Sequence, residues 1–352
     1  MVRTGAQCPL IAKGESDGFD ISKSNFSRVG SKMGKRKAKA LECRKEGVDA
    51  RMPRRRSCAT MESYFSVCES HPDFRFQQAA LESYTRTWLQ TGPVVSRMGV
   101  IQIPVVVHVV HRTASENIGD EQIASQIEVL NRDFSATNSD LALVPEPFRP
   151  LIGNPQIQFR LADIDPSGKP TTGITRTKTD VAAFATQFNP VKSTATGGID
   201  PWDTTRYLNL WTCNLAGGVL GYAQFPGGPQ ETDGVVVRFD AMGTTGSVLE
   251  PFNGGRTATH EVGHYLNLSH IWGEERIPGC RDTDHVDDTP NQFGPNYSKP
   301  QFPSISCSNG PLGDLFMNYM DYVDDAAMFM FTQGQAARMR AALEGARARL
   351  GT

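Results

Sequence analysis

A chain of 352 residues that is 39% hydrophobic and 21% charged falls within the soluble globular range and has room for one large or two medium domains. No run of about 18 apolar residues occurs, which excludes a membrane-spanning helix. The formal net charge of −2 conceals an asymmetry: residues 1–57 hold 15 Lys and Arg against 6 Asp and Glu, and the remainder holds 21 against 32.

In chain order, the basic stretch comes first. It has scattered Gly and Ser but no aromatic interleaving and no nucleic-acid motif, so it reads as a disordered or removable leader rather than a nucleic-acid arm. No apolar core with a cleavage site is visible near the start, and Met52 is an alternative start. From Asp73 to Leu89, Phe74, Phe76, Ala79, Leu81 and Trp88 recur at helical spacing, and Thr91-Gly92-Pro93 ends the run. Val100–Val110, interrupted by Gln102, Pro104 and His108, reads as a buried strand. Asp120–Phe134 predicts an amphipathic helix with Ile123, Ile127, Leu130 and Phe134 on one face. Strands are expected at Ile157–Ile164, Tyr207–Leu215, Tyr222–Pro226 and Gly234–Phe239. A His-bearing helix follows, then an Asp-, Pro-, Asn- and Gly-rich stretch after residue 275. A closing helix is expected over Thr332–Leu350, with Thr332 as its N-cap. The layout is α+β.

The segment His260-Glu261-Val262-Gly263-His264 places two imidazoles one turn apart on one helix face, where they can share a Zn²⁺. Glu261 follows the first ligand and can reach a metal-activated water as general base. His270 lies six residues past His264, too far round a continuous helix to face the same ion. The helix must therefore stop and reverse between them, and Asn267 stands where a left-handed residue is needed. A carboxylate as third ligand, an inactive binding module that kept the fold, and a basic-tailed nucleic-acid binder are the competing readings.

The segment His260–His270 resembles the metzincin signature, and the form HEVGHYLNLSHIWG looks like the pappalysin group, of the cytophagalysin and ulilysin type. Asn318-Tyr319-Met320-Asp321-Tyr322 is similar to that group's Met-turn. The resemblance implies a metzincin catalytic domain: a mixed twisted sheet with a long backing helix and an active-site helix, then a loop-rich C-terminal subdomain ending in a helix. It implies a zinc-dependent endopeptidase acting on protein or peptide substrates, with Met320 as an apolar floor beneath the zinc and Tyr322 directed at the substrate carbonyl. An extended peptide would add to the sheet edge near Gly221–Pro226. Asp325, five residues past Met320, matches the S1′ residue that selects Arg or Lys; a solvated acidic loop is the alternative. Arg54-Arg55-Arg56-Ser57-Cys58-Ala59-Thr60 looks like the family's pro-segment motif, with Cys58 as a cysteine switch on the zinc, or else an exposed free thiol.

The resemblance further implies a disulfide between Cys280 and Cys307 and a calcium site, for which Thr283, Asp284, Val286 and Thr289 are the candidate ligands; a hydrated acidic turn is the alternative. Cys213 reads as a buried thiol. The expected division is a leader at 1–57, a pro-segment at 58–96, and a catalytic domain at 97–352 with an upper part (97–270) and a lower part (271–352). The Ser96–Arg97 bond is the expected activation site. The protein is expected to be a secreted, monomeric zymogen.

Overall fold

The computed structural model describes residues 53–92, 97, 99–274, 277 and 279–351. The leader as far as residue 52, and Ser96 of the expected activation bond, lie outside the described residues.

Two helices come first, α1 (Thr60–Ser70) and α2 (Phe74–Thr91). The apolar spacing marks α2, which ends at Gly92 in a positive-φ conformation (72°) that glycine adopts without strain. Nothing comparable marks α1, whose Ser, Tyr, Phe, Val and Cys residues are indifferent helix formers and whose start has no side-chain cap. Tertiary packing holds it: Val67 and Cys68, with Met61 and Tyr64, close on Phe74 and Phe225.

The sheet is built around β1 (Ile101–His111), with α3 (Asp120–Asp133) packed behind it. The other strands are β2 (Ile157–Leu161), β3 (Ile174–Lys178), β4 (Leu208–Cys213), β5 (Gly221–Ala223) and β6 (Val235–Arg238). Their order is β2-β1-β4-β6-β5. Every pairing is parallel except that of β5 with β6. β1 is long enough to take two neighbours along one edge, β2 against Ile101–Val105 and β3 against Val107–His111. Both its faces are covered, as a parallel strand requires. Ile103, Val105, Val107 and Val109 join Ile123, Leu130 and Phe134 of the α3 region in the main core, while Val110 packs with Trp211 and Tyr222 on the opposite face.

His108, the polar interruption in β1, is satisfied internally. Its Nδ1 lies 2.8 Å from Thr175 Oγ1 and its Nε2 2.9 Å from Asn209 Oδ1, and burial lowers its pKa to about 4, so the ring is neutral. Cys213 is a buried thiol, as expected.

Most expected strands are trimmed in the structure, and three elements end at least three residues early. β2 stops at Leu161, and the last rung of its pairing is Ala162 N–H donating to Val105 O at 2.8 Å. β5 stops at Ala223, before Pro226, which has no N–H, and Gly227 with φ 85°. The closing helix α5 (Gln333–Glu344) begins as predicted, with Thr332 and Gln335 forming a reciprocal capping box. It ends six residues before Leu350. Tyr84 packs so close that a Cβ at Gly345 would come within 2.6 Å of its ring, and Arg347 turns inward to pair with Asp233 at 2.6 Å. β3 is half-exposed and polar, which hides it from a search for apolar alternation.

The active-site helix α4 (Arg256–Tyr265) packs on β5 and β6. Beyond it the chain is mostly loop, with one short parallel pair, β7 (Tyr297–Ser298) and β8 (Tyr322–Val323). A disulfide between Cys280 and Cys307 closes a sequence separation of 27 residues in this part, with the two Cα atoms 5.2 Å apart. Chain entropy assigns such a link about 3–4 kcal/mol. Replacing both cysteines by serine should lower the unfolding free energy by about that amount. Denaturant titration of the two proteins under oxidising conditions checks this, and equal midpoints would show that the link contributes nothing.

Candidate metal centre

α4 starts after Gly254-Gly255, with Gly255 at φ 74°. Its free N-terminal N–H groups find a remote acceptor: Asp325 Oδ2 accepts from Gly254 N–H at 2.7 Å and Arg256 N–H at 3.2 Å. Arg256 is tied to Asp133 and, at 2.7 Å, to Asp140, while the Thr259 hydroxyl donates to Asp133 at 2.6 Å. The helix is thereby fixed against α3 before its functional residues begin.

His260 and His264 lie on one face of α4. The helix then ends, and Asn267 takes φ 74°, the left-handed conformation that the spacing to His270 demands. The reversal is closed by Leu268 N–H donating to Gly263 O at 3.0 Å and Asn267 N–H donating to His264 O at 2.9 Å. It brings His270 back. His264 Nε2 is 3.2 Å from His260 Nε2 and 3.2 Å from His270 Nε2.

The opposite ring nitrogens fix the tautomers. Nδ1 of His260 is 2.7 Å from Tyr319 O, that of His264 is 2.7 Å from Leu268 O, and that of His270 is 2.9 Å from Glu274 Oε2. These acceptors require Nδ1–H, which leaves each Nε2 with a lone pair turned toward the others. Burial and mutual repulsion lower the pKa values of His260 and His264 well below the usual imidazole range, so both are neutral. Three lone pairs in one buried spot need a cation between them. Ligands at about 2.0–2.1 Å in a tetrahedron stand about 3.3 Å apart, close to the separations seen, so the donor set fits Zn²⁺.

Cys58 completes a four-ligand group with the three His, all ligand atoms lying within 4.8 Å of one another. Its thiol donates to Glu261 Oε2 at 3.3 Å. Burial and the Glu261 carboxylate raise the Cys58 pKa well above its usual value, an order that a bound divalent cation reverses. Glu261 is fully enclosed, and burial pushes its carboxyl up to about 7 against the lowering effect of its hydrogen bonds. Gly221 leaves it room, since a Cβ there would sit 2.8 Å from Glu261 Cγ.

Met320 is wholly buried against α4 at Gly263. Gly263 lets it approach, because a Cβ at 263 would meet its Sδ at 2.5 Å. The Tyr322 ring lies against His260, His270 and Trp272, and its hydroxyl donates to Cys58 O at 3.4 Å. Asp325 is buried, and its Oδ1 accepts from the guanidinium of Arg56. Arg56 also donates to Val323 O and to Thr257 Oγ1, each at 3.1 Å. Among the candidate calcium ligands, the Thr289 hydroxyl oxygen lies 2.9 Å from Asp284 Oδ1 and 2.8 Å from Val286 O, within reach of either as its one acceptor. Thr283 is exposed, and its hydroxyl accepts from His285 N–H instead.

Four residues without a role in the sequence reading prove to be part of the site. Arg56 carries a leader-like charge yet is buried against Asp325; its place in the R-x-C motif was the available signal. Thr60 donates to Glu261 at 3.0 Å and accepts from Ala223 N–H at 2.9 Å. Tyr319 and Glu274 orient ligand rings, and no local pattern distinguishes them.

Residues 197–344 match the peptidase M43 family, described as pregnancy-associated plasma protein-A. A protein described as extracellular metalloprotease from Arthroderma otae is 33% identical over 256 residues, which cover 70% of this chain and 80% of the relative. Another with the same description from Pyricularia oryzae is 33% identical over 258 residues, 70% and 77% of the two chains. Among solved structures, a promirolysin mutant from Tannerella forsythia is 43% identical with a TM-score of 0.75, covering 84% of this chain and 97% of that one. Mirolysin in complex with a small compound is 48% identical with a TM-score of 0.69, covering 72% and 96%. With that likeness over most of both chains, and with a buried three-histidine centre beside a glutamate, the chain belongs to the pappalysin family of metzincin metalloendopeptidases.

Proposed function

We propose that the chain is the latent form of a zinc endopeptidase in which His260, His264 and His270 hold the metal, Glu261 is the general base and Tyr322 assists the carbonyl oxygen. The observation that carries this reading is the convergence of three imidazole Nε2 atoms, with 3.2 Å between His264 and each of the others, beside a buried carboxylate. Zinc, when bound, supplies a Lewis acid that polarises the scissile carbonyl and acidifies a water. Glu261 takes the proton of the attacking water and returns it to the leaving amine. The Tyr322 hydroxyl donates to the carbonyl oxygen as negative charge develops there; its present contact with the Cys58 carbonyl supports that aim. Met320 shapes the apolar floor.

Latency is assigned to the segment from Arg56 to α2, which starts inside the expected leader (1–57) and runs into the pro-segment expected at 58–96, ahead of the catalytic domain at 97–352. Cys58 is the switch that takes the open metal position. The segment also covers the β5 edge on which an extended substrate would pair: Ala59 N–H donates to Gly221 O at 3.0 Å and Leu220 N–H to Ser57 O at 2.9 Å. Arg56 fills the S1′ pocket, so its ion pair with Asp325 is the argument for an Arg or Lys preference there. Arg97 fits the expected cleavage at Ser96–Arg97. Its N–H donates to Glu344 at 2.8 Å and its guanidinium to Leu350 O at 2.7 Å, so the residue that would become the first is already docked. The disulfide and the extracellular relatives support a secreted protein, and a monomer is the expected state.

A calcium site near Asp284 is a second element of the proposal. Its carboxylate is buried, pushed up to about 7, and held by the Thr289 hydroxyl and the Val286 N–H. A cation bound by Asp284, Thr289 and the Val286 carbonyl, with Thr283 nearby in sequence, would stabilise the charge.

Activated Glu261→Gln protein should keep its zinc but lose about 10²–10⁴-fold in kcat on peptides. Metal analysis beside a peptide assay decides, and wild-type turnover would remove Glu261 from the mechanism. Asp325→Asn retains an oxygen for the α4 N–H groups while removing the charge; a peptide-library digest should show the basic P1′ preference reduced about tenfold or more. An unchanged profile would relocate the selectivity. Calcium should raise the melting temperature of the wild type and not of Asp284→Ala, and equal shifts in both would place the ion elsewhere.

A further inference from the structure

The three ligand rings are not held alike. His260 and His264 sit on a helix, and each gives its Nδ1–H to a neutral backbone carbonyl. His270 lies on the loop beyond the reversal, without a helix to fix it, and its Nδ1–H goes to the Glu274 carboxylate at 2.9 Å. The same carboxylate accepts the backbone N–H of His270 through its other oxygen, at 2.8 Å. Both Glu274 oxygens thus serve one residue, fixing main chain and ring together. The Trp272 indole stacks flat on that ring, with centroids 4.6 Å apart and planes 8° from parallel.

The turn that brings Glu274 back to His270 is specified locally. Gly273 N–H donates to His270 O at 2.8 Å. Gly273 has φ 89°, and a Cβ there would come within 2.2 Å of the Asp282 carboxylate. Only glycine meets both demands.

We propose that Glu274 is the positioning residue of the third zinc ligand: its carboxylate holds the His270 ring in the tautomer and orientation that turn Nε2 to the metal. The proposal rests on the reading of the three His as zinc ligands. A carboxylate behind a ligating imidazole fixes the ring and strengthens its bond to the ion, and removing one weakens metal binding about 10–100-fold.

The test uses the full-length chain carrying Cys58→Ser, so that the thiol does not contribute, with zinc affinity measured by competition against a chromophoric chelator. Glu274→Ala should weaken zinc binding about 10–100-fold, with the metal-free melting temperature unchanged and the visible absorption of the Co²⁺-loaded protein altered. Glu274→Gln keeps an oxygen for the ring, and partial recovery there assigns the effect to orientation. Equal loss in both variants at unchanged metal-free stability assigns it to the charge and also supports the proposal. Zinc affinity of Glu274→Ala within about twofold of the parent overturns it. So does a loss in both variants that follows a lower metal-free melting temperature, the mark of a purely structural role. A His270→Ala variant that kept the parent's zinc affinity would instead overturn the assignment of the ligands.

Discussion

Three imidazoles must meet in one buried spot, and only two of them can come from the same helix. That constraint organises the molecule. The chain has to reverse after Tyr265, and the reversal at Asn267 does two things at once. It returns His270 to the other two rings, and it offers the Leu268 carbonyl to the back of His264. The third fixed point is the turn at Asn318–Tyr322, where the Tyr319 carbonyl accepts from His260 and Met320 fills the space left by Gly263. A buried polar group left without a partner is expensive, and here each ring nitrogen facing away from the centre has one.

The short strip from Arg56 to Thr60 reaches several parts of this arrangement. Arg56 reaches Asp325, Cys58 faces the three rings, and Thr60 bridges Glu261 to the edge of the sheet. Farther along, α2 is tied to α5 by the half-buried ion pair of Glu82 with Arg338 at 2.8 Å. The first residues of the strip give specificity of docking, and the helices give area. In the proposed latent form, the three rings and Glu261 are already gathered beneath this cover.

Much of this could be read from the residues alone, for a physical reason in each case. The i, i+4 pair His260 and His264 is a local pattern, and the need for a left-handed residue before His270 follows from helix geometry. β1 carries a nearly continuous apolar run, and α3 an apolar face at helical spacing. What escaped reading depends on distant partners. Arg56 looks like one more charge in a basic leader until Asp325 is brought to it. Thr60 is an ordinary helix-start residue until Glu261 lies beside it. α1 has no local preference for its helix and is held by Phe74 and Phe225. Element ends likewise answer to tertiary contacts, as at Gly345, where Tyr84 packs against the end of the last helix.

Asp325 divides its two oxygens between unlike tasks. One closes the open start of α4, and the other faces a guanidinium in the cleft. A replacement that removes both oxygens therefore also loosens the helix that carries His260, Glu261 and His264, whereas Asn keeps the acceptor that the helix start needs. On the proposed specificity role, the neighbours of that guanidinium, such as Thr257, can alter the cleft without removing the acceptor at the helix start.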